Sequence, residues 1–265
     1  MESLKDKVAI ITGAGSGFGR CTSLLFAKYG ALVVLADMNL EGAEAVAAEC
    51  VTNGHKKSQV LAVKCDITKD ADRVNLVGEC VRTFGRIDIL INNAGVYRKK
   101  SMLEADDNMY DFLMDVNLKA QIFLTKVAVP YLKMTKGTIV NLSSIVAEEA
   151  VAPAGVYCIS KAGIDCATKV LAIELAEFGV RVNSVRPGTM HTGLYDVDFG
   201  ENVSNVMKSV ISEHPLGRLG LPEEVAKAVA FLACDLSSYS TGNFFFVDGG
   251  RHCVGARHNP HLKAQ

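Results

Sequence analysis

Tyr157 and Lys161 stand four positions apart in the stretch YCISKAG. On a helix these positions share a face, so an ammonium can stand beside a phenol. Such a pair can move a proton. A free tyrosine titrates near 10, and using it at neutral pH requires a shift of roughly three units, or about 4 kcal/mol. A lysine about 4 Å away supplies roughly that much at an effective dielectric near 20. The spacing alone is common enough to arise by chance, so its meaning depends on what surrounds it.

A second chemistry lies near the beginning of the chain. TGAGSGFG, residues 12–19, follows an apolar run and opens a helical pattern. Gly13, Gly17 and Gly19 stand where the chain must turn, and without side chains they let a pyrophosphate approach the backbone N–H groups and the positive end of the helix. Asp37 ends the next apolar run, 18 positions after Gly19, where an acid can accept hydrogen bonds from the adenosine ribose. The acid would repel the extra phosphate of NADP, and Met38 and Asn39 bring no compensating charge, so NAD is the expected cofactor. Asp37 could instead cap the helix at 41–52, a role for which Asn39 is at least as well placed.

The elements that must carry these residues follow from periodicity. Short β-branched runs alternate with longer amphipathic ones, the pattern of βαβ units on a parallel sheet. Strands are expected at 7–13, 31–37, 59–66, 87–95, 137–144, 180–188 and 244–250, most of them apolar on both faces. Helices are expected at about 18–29, 41–52, 70–84, 107–133, 155–177 and 222–235, with Gly85, Gly137 and Gly179 placed where helices should stop. The expectation is a single doubly wound α/β domain of Rossmann type over 1–250, its seven-stranded parallel sheet covered by helices on both faces. Segment 189–215 interrupts the rhythm and is a candidate substrate lid. Residues 251–265 form a tail with three of the six histidines.

The chain resembles the short-chain dehydrogenase/reductase family, in its variant of about 250 residues, along essentially its whole length. The resemblance rests on an ordered set: TGAGSGFG at 12–19, NNAG at 92–95, Asn117 in VNLKA, NLSS at 141–144, Tyr157 with Lys161, and RPG at 186–188 followed by Thr192. It implies hydride transfer between a nicotinamide and a carbonyl or alcohol carbon, with Tyr157 handling the proton, Lys161 also holding the nicotinamide ribose, and Ser144 bonding the reacting oxygen. Asn117 is implied to distort its helix and position a water in a proton relay. Further cofactor contacts are implied for Ser16, Phe18, Asp66, Ile67, Asn93, Ala94, Gly95, Pro187, Gly188, Met190 and Thr192. Asn92 is implied to support the sheet and the cofactor site. Asp66 could equally cap the following helix, and Ser143 could be an ordinary strand-end hydroxyl. Ser16 stands where NADP-preferring members often carry a basic residue, in agreement with Asp37. Two departures from the family stand out: Phe18 replaces a usual Ile or Leu, and Glu148 and Glu149 fall in a loop where small or apolar residues are usual. Charges in a loop are expected to face solvent, the alternative being that one of the two points into the substrate site.

Composition narrows the partners. A formal net charge of -1 and no long basic run argue against nucleic acid or an anionic membrane surface. The eight cysteines are scattered without a Cys-x-x-Cys pair and read as reduced, mostly buried thiols, which suggests the cytoplasm. The beginning is not expected to be a signal peptide, and no apolar run reaches the length of a membrane span. No metal site is expected from His252, Cys253, His258 and His261, which lack a fixed ligand spacing. The substrate pocket is expected from 95–101, 145–156 and the insertion, with Val146, Val151, Met190, Leu194, Tyr195, Phe199 and Met207 making it apolar. A secondary alcohol or ketone of intermediate size suits it. Arg98, Lys99 and Lys100 offer an alternative for an anionic group, although such a run is more often a solvated loop. The resemblance also implies a homo-tetramer. A non-redox isomerase, cyclase or lyase that keeps NAD as a structural element, and a silent NAD-binding regulator, are the competing functions. The complete set of Asn117, Ser144, Tyr157 and Lys161 argues against silence.

Overall fold

The computed structural model describes residues 1–190 and 211–254. The apolar runs fold as strands β1 (Val8–Thr12), β2 (Leu32–Asp37), β3 (Val60–Lys64), β4 (Ile89–Asn92), β5 (Thr138–Leu142), β6 (Arg181–Pro187) and β7 (Phe244–Val247). All pair in parallel, in the order β3-β2-β1-β4-β5-β6-β7. Strand order reverses between β1 and β4, so the loops after these two strands diverge and leave a crevice at their carboxyl ends.

Helices α1 (Gly17–Lys28), α2 (Leu40–Thr52), α3 (Asp70–Phe84), α4 (Asp107–Met114), α5 (Ala120–Thr135), α6 (Gly155–Ala176) and α7 (Pro222–Ala233) fill the connections. Alternation along the strands divides the core in two. Ala9 and Ile11 of β1 pack with Phe26, Val46 and Val229 from α1, α2 and α7, whereas Val8 and Ile10 pack with Leu76, Leu124 and Leu175 from α3, α5 and α6. Each layer seals one face of the sheet, which is why β1, β4 and β5 are buried along their whole length.

Two local expectations changed. Gly85 ends α3 in the left-handed conformation, φ 77°, but α5 stops on Lys136, itself left-handed at φ 52°. Gly137 is needed for a different reason: a Cβ there would lie 2.4 Å from the Asp88 carbonyl oxygen. The single helix expected over 107–133 is interrupted by a π-helical turn, Asp115–Lys119, between α4 and α5. Of the expected lid, residues 189–190 and 211–215 are described, and Thr192, Leu194, Tyr195, Phe199 and Met207 lie outside the described residues, as do His258 and His261. All eight cysteines are unpaired thiols. Among the described residues no helix is long and apolar enough to cross a membrane, and no cluster of three His, Cys, Asp or Glu could hold a metal ion.

Candidate active site

The crevice is lined first by the glycine loop. Gly13 and Gly17 have φ of 63° and 50°, and a Cβ on Gly17 would meet nothing within 4 Å. The loop surface is therefore open where backbone N–H groups of the α1 N-terminus emerge. Beneath it the packing is tight. Asn93 Nδ2 donates to the Thr12 and Gly13 carbonyls at 2.7 and 3.2 Å, and Thr12 Oγ1 accepts from the Asn93 and Ala94 N–H groups, both at 3.0 Å. Thr12 thus joins the loops after β1 and β4, a role not anticipated although it sits inside the glycine motif. Ser16 is the N-cap residue of α1 without a side-chain cap, and Phe18 packs partly buried against the core below.

Asp37 ends β2 beside this loop. Its two carboxylate oxygens accept from the Gly15 and Asn39 N–H groups, each at 2.9 Å. Asn39 caps α2 through Gly42, so Asp37 is not the cap. Asp66 behaves differently: its Oδ1 accepts from the Thr68 N–H and hydroxyl at 3.1 and 2.6 Å, and the Thr68 hydroxyl holds the carboxyl below its ordinary range. The Asp66 side chain thus holds its own turn, its N–H donates to Asp72 at 2.9 Å, and the buried Ile67 accepts from Arg73 at 2.7 Å through its carbonyl.

Tyr157 and Lys161 lie in the first turns of α6, behind the crevice. Lys161 is 4% exposed; its Nζ donates to the Leu142 carbonyl at 2.8 Å and stands 5.6 Å from the Tyr157 ring centroid. Of its three N–H donors one is spent on Leu142, and a Cβ on Gly95 would come 3.5 Å from Nζ. Tyr97 meets the Tyr157 ring edge-on at 5.1 Å and 83°. Ser144 caps the short 3-10 turn Ile145–Ala147 by accepting from Val146 N–H at 3.3 Å, so its hydroxyl hydrogen can be donated elsewhere. Ser143 instead is buried and donates to the Lys161 carbonyl at 3.3 Å, a structural role.

Asn117 explains the π-helical turn. Fully buried, it accepts from Val96 N–H at 2.8 Å and donates to the Val96 carbonyl at 2.9 Å and the Ser160 hydroxyl at 3.2 Å. Both polar groups of Val96 are satisfied by one side chain, which offsets the cost of widening the helix. Val96 precedes Tyr97, and Ser160 donates to the Tyr157 carbonyl at 2.7 Å. Asn117 therefore braces both sides of the tyrosine. Behind it, Asn92 donates to Asn141 at 2.9 Å and to Thr125 at 3.0 Å, and Asn141 donates to Thr168 at 2.9 Å, which locks β4 and β5 to α5 and α6.

Burial brings the Lys161 ammonium down to about 8, against the opposing attraction of the Asp165 carboxylate. Asp165, one turn after Lys161 on α6, was legible from its spacing but not singled out. In the unfolded chain the lysine titrates at 10.5. Below pH 8 both states are charged and the full cost of burying the ammonium is present; between about 8 and 10.5 the folded state releases its proton first, and stability rises with pH. Lys161→Met removes this contribution. The variant should exceed the parent in stability most near neutral pH, by up to about 3 kcal/mol, and the gap should close as pH approaches 10.5. Urea unfolding at both ends of the window checks this; a constant gap contradicts it. Cys65 and Cys80, pushed up to about 12 by burial, act in the opposite direction at alkaline pH but are common to both proteins.

Pro187 ends β6, and a Cβ on the following Gly188 would lie 2.8 Å from Asp248 Cα. Met190 is only 2% exposed and joins the core, with Gly220 leaving room for its sulfur, so its side chain is not part of an apolar pocket wall. Arg98 lies 5.3 Å over Phe112, and Lys100 pairs with Asp106 at 3.6 Å. Glu148 faces solvent as expected, although it also pairs with Arg186, whereas Glu149 is mostly covered and pairs with Arg251. Local sequence carries no sign of partners so distant.

The glycine cradle, the Asp37 carboxylate and the buried lysine could together hold a dinucleotide. The chain is similar to known oxidoreductases. Residues 13–252 match the family model described as enoyl-(acyl carrier protein) reductase. The chain is 39% identical over 250 residues to the 3-oxoacyl-(acyl-carrier-protein) reductase FabG of Thermotoga maritima, covering 93% of this chain and 98% of that one. It is 39% identical over 246 residues to a cyclohexanol dehydrogenase of an Acinetobacter species, covering 92% and 94%. The crystal structure of a 3-ketoacyl-(acyl-carrier-protein) reductase from Brucella melitensis complexed with NADH superposes with a TM-score of 0.86 at 36% identity, covering 94% of this chain and all of that one.

Proposed function

The chain belongs to the short-chain dehydrogenase/reductase family of oxidoreductases, and from that premise we propose that it transfers hydride between NAD and a secondary alcohol or its ketone. The observation that carries this reading is the buried Lys161 ammonium, tethered to Leu142 and facing the Tyr157 ring. A nicotinamide held by the glycine loop and Lys161 would supply or accept the hydride. In oxidation the Tyr157 oxygen takes the substrate hydroxyl proton; in reduction it returns one to the carbonyl oxygen. Lys161 lowers the cost of the phenolate by its charge. Ser144 donates a hydrogen bond to the same substrate oxygen, where charge develops. Asn117 holds Val96 and the π-helical turn in place and so keeps the path to Lys161 open for proton exchange.

NAD rather than NADP is supported by Asp37, an acid fixed by two backbone N–H groups at the carboxyl end of β2. Replacing Asp37 by Ser and the exposed Met38 by Arg should raise the NADP-to-NAD ratio of kcat/KM by at least about tenfold, since a like-charge contact costs several kcal/mol. An unchanged ratio removes Asp37 from cofactor choice.

The substrate site is bounded by 95–101 and 145–156, which meet through a bridge between Lys100 and Ala154. Val146 and Val151 make it partly apolar, and the local engagement of Arg98 and Lys100 favours an uncharged substrate of intermediate size over an anionic one. A 3-oxoacyl group and cyclohexanol, named for two relatives, both present a secondary carbinol or its ketone. Exposed Phe112, Phe123, Ile159 and Ile173 on α4 to α6 support a homo-tetramer, and the eight free thiols support a cytoplasmic setting.

A further inference from the structure

The stretch between Ser144 and Tyr157 carries two carboxylates, each held by an arginine from elsewhere in the fold. Glu148 pairs with Arg186, whose guanidinium is anchored by Asp165 at 2.9 and 2.7 Å and lies 4.2 Å over the Phe244 ring. Glu149 pairs with Arg251 at 2.6 Å. Arg251 turns its other nitrogens, Nε and the second terminal nitrogen, to Glu213 at 3.0 and 2.8 Å. One guanidinium thus bridges the loop after β5 and the segment that leads into α7.

The turn that presents Arg251 is itself fixed. Gly249 and Gly250 take φ of 62° and 84°, and Leu216 N–H donates to the Gly249 carbonyl at 3.1 Å. The Asp248 carboxylate accepts from Gly250 and His252 N–H at 3.1 and 2.7 Å. The side chains of Glu149 and Arg251 are 24% and 20% exposed, so the pair is screened less than a surface ion pair. Burial, with the neighbouring Asp248 and Glu148, pushes the Glu149 carboxyl up against the pull of Arg251. Without Arg251, Glu149 would be an anion in a partly buried, acidic surrounding, and the loop would have to move to expose it.

We propose that Arg251 is a positioning residue for the reaction: by bridging Glu149 and Glu213 it fixes the loop that carries Ser144 and leads into Tyr157, keeping the serine hydroxyl and the phenol in register. The inference rests on the oxidoreductase reading above. It explains why an acid stands at position 149, where the family usually has a small or apolar residue.

The test is Arg251→Gln in the full chain, followed by amide hydrogen exchange over 145–154 and by steady-state kinetics. The amides of Ala147, Glu148, Glu149 and Ala154 are hydrogen-bonded within the loop, so their exchange reports its order. Exchange there should quicken by about tenfold or more, and kcat should fall on the order of tenfold to a hundredfold with KM for the cofactor within about twofold. Arg251→Lys should restore part of the loss. Glu149→Gln should reproduce it, and the double variant should be no worse than either single one, because both remove the same bridge. If Arg251→Gln fails to fold, Glu213→Gln and Glu149→Gln carry the same test. Unchanged exchange over 145–154, or a loss confined to KM for the substrate, overturns the proposal. Failure of the unaltered protein to turn over any alcohol or ketone would instead overturn the oxidoreductase reading, while the exchange comparison, which needs no turnover, still decides whether Arg251 fixes the loop.

Discussion

Tyr157→Phe should lower hydride transfer by about a thousandfold or more while cofactor affinity stays within about twofold. Phenylalanine keeps the ring that Tyr97 meets edge-on and that Lys161 faces, so packing, the lysine and the crevice are preserved. The lost atom is the one assigned to the proton. Neither neighbour can replace it. Ser144 donates a hydrogen bond but is a far weaker acid, and the Lys161 ammonium is held inward on Leu142. Steady-state kinetics with fluorescence titration of the cofactor separates the two quantities. Retention of more than about a tenth of the activity removes Tyr157 from the acid/base role.

A comparable loss is expected of Gly19→Ala, at the other end of the site and for a different reason. A Cβ on Gly19 would stand 2.0 Å from the Gly13 carbonyl oxygen and 2.7 Å from Asn93 Nδ2. Neither can yield: Gly13 is in the left-handed conformation and its carbonyl is gripped by Asn93, which also holds Thr12. The backbone must shift, and the loops after β1 and β4 must part. Stability without cofactor should fall by about 3 kcal/mol or more, among the larger effects of a single substitution, and cofactor affinity by at least about a hundredfold. Gly17→Ala is the control. Its Cβ meets nothing within 4 Å, so only the positive φ is penalised, at about 1 kcal/mol. Urea unfolding without cofactor should therefore separate the two variants; equal stabilities would show that the Gly19 contact is not rigid.

Much of this was legible in the sequence because it is local. The apolar runs that became β1 to β7 alternate between two faces that both need covering, and no competing pattern exists for segments such as KVAIITG. The glycine loop and Asp37 were likewise readable, since their meaning depends on neighbours in β1 and β2. What escaped was decided by contacts distant in the chain. The break between α4 and α5 exists because Asn117 satisfies both backbone groups of Val96, 21 residues away. Glu149 reads as a solvated loop charge because its partner, Arg251, lies beyond β7; Glu148 stays exposed, and only its pairing with Arg186 on β6 is hidden from local sequence. Gly137 was placed at a helix end correctly but for the wrong reason: its lack of a side chain serves the approach of the Asp88 carbonyl, while Lys136 takes the left-handed turn.

Lys161 concentrates the energetic conflict of the site. Its burial costs stability, yet the same burial keeps an undiluted positive charge beside Tyr157 and two donors for a ligand at the crevice. A purely structural NAD site would need the donors but not the nearby phenol, and a silent regulator would need neither Ser144 nor the π-helical turn.

The most direct measurement is turnover of NAD by the purified protein with a panel of secondary alcohols carrying deuterium at the carbinol carbon. For at least one alcohol, reduced nicotinamide should form with the deuterium transferred to its ring, at a rate slowed relative to the undeuterated substrate and abolished by Tyr157→Phe. Tight NAD binding with no reduction by any member of the panel would contradict hydride transfer as the function and would favour a non-redox or regulatory use of the same site.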